Sequence, residues 1–173
     1  MWIRDALPQY LSSVRFLLYG YNTTLVKSSS FQGVHDLAVS LINQLNIDEW
    51  SSPTSNSLVF LAHSLGGVVL KQTLLIMANS TGPDHFILPR IRGAVFFGVP
   101  SRGMAIPDIL AMLEDQPNTA LVDEISDRSQ YLANLERQFR GISYIQRMKL
   151  FWAYETKTSP TVEVRETAIA EAD

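Results

Sequence analysis

The sequence predicts an α/β fold built on a mostly parallel sheet with helices on both faces, and three observations predict it. Short apolar runs that read as strands alternate with longer runs of helical period. The strand runs are apolar throughout rather than on alternate residues, as in parallel sheets buried on both faces. The third observation is one junction, "LVFLAHSLGGVVLKQ" from Leu58 to Gln72, where an apolar run enters a small-residue turn and leaves as an apolar helix.

The elements follow in order. "RFLLYGY" (15–21) is a short apolar and aromatic run ending near a glycine, which reads as a buried strand. After three serines that can cap a helix, Val34, Leu37, Ala38, Leu41, Ile42 and Leu45 fall on one helical face. "SSPTSNS" (51–57) reads as a loop and "LVFLA" (58–62) as the second strand. "GGVVLKQTLLIMA" (66–78) is apolar on nearly all sides, which predicts a buried helix. "STGPD" (80–84) is a loop, and "IRGAVFFGVP" (91–100) is a third strand ended by proline. The pattern from Ile106 to Ile145 is helical, with Leu132, Leu135, Phe139 and Ile142 along one face. "KLFWAYE" (149–155) is the fourth strand, whose aromatic residues read as sheet core. Residues 1–160 then form one domain, and 161–173 form a tail that reads equally as an edge strand or a frayed end.

Composition narrows the function. The chain has 173 residues, 46% hydrophobic and 18% charged, enough for one domain with a real core. A net charge of −3 carries no electrostatic footprint for nucleic acid. There is no cysteine, so thiolate metal sites and disulfides are excluded, and a reducing compartment is the expected setting. The start "MWIRDALPQY" has no apolar segment of a signal peptide. His63, Ser64, Gly66, Gly67 and Lys71 interrupt the longest apolar stretch, so no transmembrane span is expected. The Asn-x-Ser/Thr triplets at Asn22 and Asn79 would matter in a secreted protein alone. No phosphate loop, dinucleotide fingerprint or paired-histidine metal motif is present, and no cofactor is expected.

Ser64 is the chemically loaded residue. In an open parallel sheet, sites lie at the carboxyl ends of strands, and Ser64 is expected at one of them. A serine hydroxyl is a weak nucleophile unless a base activates it. A sharp strand-to-helix elbow presents such a serine and demands small neighbours, here Ala62 and Gly66, with His63 and Gly67 completing the turn. The Leu65 backbone N–H, at the start of the helix, would supply half of an oxyanion hole.

"MWIRDALP", "LLYGYNT", "FLAHSLGGVVLKQTL" and "IRGAVFFGVPSRG" occur in an order that resembles a known family. It is the serine-active-site-containing, lipase-like esterases of the α/β-hydrolase class, found as amino-terminal domains of fungal NOD-like receptor proteins. The resemblance covers about residues 1–157. It implies an α/β-hydrolase-like fold incomplete at both edges, ester-hydrolase ancestry, and acyl or lipid esters as substrate. It also implies a cytoplasmic protein, or one peripheral to organelle membranes, within a larger parent chain or self-associating. Three departures stand out. The family's opening strand and His-Gly loop precede the point where this sequence starts. Its Pro-His-Arg-Gly is Pro100-Ser101-Arg102-Gly103 here, and its histidine loop has no match after Pro160.

None of the three histidines reads as the base. His63 adjoins Ser64 in a turn where neighbours point apart. His85 follows the whole helix after Ser64, on the order of 20 Å away. His35 lies early in a helix displaced sideways from the nucleophile. For the acid, Glu155 follows the "LFWAY" strand, where the order Ser…Asp/Glu…His places it, and the resembling family's Glu-Thr matches Glu155-Thr156. A solvated carboxylate at a strand end is an equal reading, and Asp108 is the runner-up. The helical stretch 106–145 sits where hydrolases carry a cap, and reads as packing helices before it reads as an acyl pocket. Two functions remain: a serine ester hydrolase, or a degenerate hydrolase fold kept as a binding or signalling module.

Overall fold

In the computed structural model, Leu58–His63 (β1), Ile91–Phe97 (β2) and Lys149–Ala153 (β3) pair as a parallel sheet in the order β1-β2-β3. Residues 5–21, 32–103, 119–127 and 129–154 are described. The helices are Leu7–Tyr10 (α1), Val34–Ile47 (α2), Leu65–Asn79 (α3), Thr119–Ile125 (α4) and Gln130–Gly141 (α5), with 3₁₀ turns at Pro83–Arg90 and Ile145–Arg147. A parallel neighbour needs a crossover, and α3 supplies the one from β1 toward β2.

Local chemistry explains the helix ends. The Gly33 N–H donates to the Asp36 carboxylate at 3.0 Å, and the Val34 N–H donates to Glu124 Oε2 at 2.7 Å. These satisfy donors that the first turn of α2 leaves without intrahelical partners. Ser129 caps α5 by accepting from the Leu132 N–H at 3.2 Å. The expected apolar faces are the buried ones: Val34, Leu37, Ala38, Leu41, Ile42 and Leu45 on α2, and Leu132, Leu135 and Phe139 on α5. Buried Leu70, Leu74 and Met77 of α3 join Ala62, Ala94 and Phe96 of the sheet in one core. Each of these leucine, methionine and phenylalanine side chains contributes roughly 1.5–3 kcal/mol on burial.

The described helices cover one sheet face, not both. Ala62, Ala94 and Phe96 meet the helices, whereas Val59 and Phe151 on the opposite face are each 62% exposed. A continuous apolar strand signals two covered faces, but among the described residues the second cover is missing.

The run 15–21 forms no strand. Tyr19 instead donates its hydroxyl to the Leu37 carbonyl at 2.9 Å and packs against Tyr21, their ring centroids 5.5 Å apart. The run thus braces α2 through aromatic side chains, and its Leu18 is exposed. β2 stops at Phe97, short of Pro100, because Gly98 turns the chain with φ +53°. Its N–H still reaches the Ala153 carbonyl at 2.9 Å. The loop expected at 80–84 passes into the first 3₁₀ turn at Pro83. The segments 1–4, 22–31, 104–118 and 155–173, with the expected cap serines Ser28, Ser29 and Ser30 and with Asp108, Glu155 and Thr156, lie outside the described residues.

Candidate active site

β1 ends at His63 and α3 begins at Leu65, so Ser64 alone makes the turn between them. Its backbone sits at φ +50°, ψ −125°. A residue with a Cβ is strained there, because positive φ crowds Cβ against the backbone. The turn is nevertheless held on both sides. The Ser64 N–H donates to the Phe97 carbonyl at 2.9 Å, extending the sheet ladder by one residue, and the Gly67 N–H donates back to the Ser64 carbonyl at 3.0 Å. Ser64 is half-buried at the carboxyl end of β1, as the sequence reading expects, although β1 is an edge strand among the three described ones.

The small residues have identifiable neighbours. A Cβ on Gly66 would lie 3.3 Å from the Tyr21 hydroxyl, and one on Gly67 would run into Val99. Ala62 is buried under α3, while His63 belongs to the uncovered sheet face and is exposed. The Leu65 N–H is in the first turn of α3, where a helix has donors to spare and a partial positive charge. Ser64 Oγ has no hydrogen-bond partner among the described residues.

The other two histidines lie elsewhere. His35 Nδ1 is 3.4 Å from Gln72 Nε2, two turns along α3 from Ser64, or about 12 Å by helical rise. Tyr131 holds the same Gln72 side chain by donating to its Oε1 at 2.9 Å. His85 faces the Met77 carbonyl and the Tyr144 hydroxyl at 3.3 and 3.4 Å, at the far end of α3. An open depression of about 520 Å³ along that helix is lined by Gln72, Ile76, Asn79, Asp84 and Gln138, away from the turn. No cluster of three or more His, Asp or Glu that could hold a metal occurs among the described residues, nor a helix long and apolar enough to cross a membrane.

Two participants escaped the sequence reading. Tyr21, read as the end of a strand, brings its hydroxyl over the elbow. Burial and then neighbouring Tyr19 raise its pKa above the usual phenol value, so it stays a neutral donor. Lys71, read as a mere interruption of an apolar run, is wholly buried and bonded to Glu136 and Ser101. No sequence signal pairs residues so far apart in the chain. No protein family, curated protein or solved structure was found to match the chain.

Proposed function

We propose that this chain is an α/β-hydrolase-like serine ester hydrolase domain with Ser64 as its nucleophile. The observation that carries the reading is the positive φ of Ser64 between a parallel strand and a helix. A strained residue persists where its surroundings over-determine it, and such strain gathers at functional sites. In this reading Ser64 Oγ attacks an ester carbonyl and passes its proton to a base. The Leu65 N–H receives the oxyanion, the alcohol leaves with a proton, and water then releases the acyl group. Tyr21 offers a further neutral donor beside the turn.

The base is the incomplete part. With His35 and His85 engaged at Gln72 and Met77, and His63 on the uncovered face, no histidine of this sequence is placed to accept the proton. That same placement favours the second reading, a hydrolase-derived binding or signalling module. Loss of the histidine from a triad costs roughly a million-fold in turnover in one measured system.

The test is hydrolysis of p-nitrophenyl acetate by the parent and by Ser64→Ala, with and without added imidazole. Without imidazole the two rates are expected to coincide. With it, the parent should exceed Ser64→Ala after subtraction of the imidazole blank. Equal rates in both conditions would favour the binding module.

A further inference from the structure

Lys71 is 0% exposed, midway along α3. Its ammonium donates to Glu136 Oε1 and to Ser101 Oγ, the latter at 2.7 Å. It also lies over three aromatic faces, 4.9 Å from the centroid of Trp152, 5.7 Å from Phe96 and 5.8 Å from Phe139. Such a site is costly. Taking an ammonium and a carboxylate out of water is repaid by their attraction when geometry is good, and a pair of apolar side chains of similar volume often serves stability as well or better. The aromatic walls would accept a methionine. What a methionine cannot do is donate to Ser101.

Ser101 lies on the loop 98–103 that leaves β2 at the carboxyl end of the sheet. This loop touches the Ser64 turn directly. Phe97, just before it, accepts the Ser64 N–H, and Val99 fills the space above Gly67 in the first turn of α3. At its other end Gly103 has φ +86° and passes so close to the backbone of Ser126 and Asp127 that a Cβ would not fit. Val99 and Gly103 hold the loop by shape. Ser101 between them is held by the buried ammonium, which Glu136 ties to α5.

We propose that Lys71 is a positioning residue whose ammonium, anchored by Glu136, fixes Ser101 and thereby the loop that walls the Ser64 site. Its effect on chemistry rests on the reading of Ser64 as nucleophile; its effect on the loop does not. Misplacement of a site by about 1 Å can cost on the order of a hundredfold in rate, so the loop position has catalytic leverage.

The experiment uses Lys71→Met and Ser101→Ala in the full chain, followed by NMR. Ser101→Ala is expected to melt near the parent temperature, and Lys71→Met below it, because it leaves the Glu136 carboxylate without its ammonium. Both should weaken the contact between the Val99 methyls and the Gly67 Hα, and speed amide exchange at Ser101 and Gly103 roughly tenfold or more, while β1 amides stay unchanged. With imidazole present, the maximal rate of Ser64 acylation by p-nitrophenyl acetate should fall about tenfold or more. Parent-like loop exchange in both variants would overturn the proposal, as would an unchanged acylation rate beside a lowered melt, the signature of a purely stabilising strut. If Lys71→Met does not fold, Ser101→Ala decides alone, since it removes one hydroxyl. A parent that is never acylated at Ser64 would sink the hydrolase reading, and loop exchange would still decide whether Lys71 positions the loop.

Discussion

Val99 occupies the space that a side chain on Gly67 would need, its Cγ1 and Cβ lying 2.8 and 3.0 Å from the position of that missing Cβ. The glycine is therefore required by the loop above it, not by its own backbone angles. Gly67→Ala gains helix propensity, worth roughly 1 kcal/mol, but overpacks the contact at a typical cost of about 1–3 kcal/mol. The expected net result is destabilisation in a denaturant titration. Combining it with Val99→Ala should recover about 1 kcal/mol relative to additivity. Additive effects would show that the two residues do not share this space.

The strain at Ser64 predicts an unusual ranking of variants. Ser64→Ala keeps a Cβ at φ +50° and should leave stability within about 0.5 kcal/mol of the parent. Ser64→Gly releases strain of order 1–3 kcal/mol, against an unfolded-state cost of about 0.4–1 kcal/mol. Glycine should therefore give the higher denaturation midpoint. A glycine variant less stable than the alanine variant would mean that the turn is unstrained.

Glu124 links stability to pH. It accepts the Val34 N–H at 2.7 Å, at the N-terminus of α2. Burial raises its pKa above the ordinary 4.5, the Val34 hydrogen bond opposing the shift. With the folded pKa raised, the folded state holds the proton longer than the unfolded chain. Glu124 therefore makes stability fall as pH rises from about 4.5 through its folded pKa. Glu124→Gln keeps an acceptor and should flatten that part of the pH–stability curve. Glu124→Ala should cost about 1–2 kcal/mol at neutral pH, as for other lost helix caps. Parallel pH curves for the parent and the glutamine variant would refute the assignment.

The uncovered sheet face makes association the expected behaviour of this chain. Val59 and Phe151 expose apolar surface there that no described helix meets. Phe151→Lys should leave the melt nearly unchanged, within about 0.5 kcal/mol, and raise the concentration at which light scattering begins to climb. A parent that remains monomeric at millimolar concentration, unaffected by the substitution, would contradict this.

The junction from Leu58 to Asn79 was legible because three signals agree there: an apolar strand, small residues around Ser64 and an apolar helix. The faces of α2 and α5 were legible for the same reason, since helical period survives in sequence. The run 15–21 was not. Its composition suits a strand, but its backbone stays out of the ladder and its tyrosines do the packing. Likewise, apolar strands announce that both faces can be buried and cannot say whether anything described covers them. The Lys71–Glu136–Ser101 contact was beyond reach because a lone lysine in an apolar run names no partner.

Acylation of Ser64 itself decides whether this serine is a nucleophile. The chain is incubated with p-nitrophenyl acetate and imidazole, quenched in acid, digested, and its peptides are sequenced by mass spectrometry. The expected result is an acetyl group on Ser64, accumulating with imidazole concentration, and no acetyl on the corresponding peptide of Ser64→Ala. An unmodified Ser64 at every imidazole concentration, or an acetyl on Ser101 in its place, would contradict it.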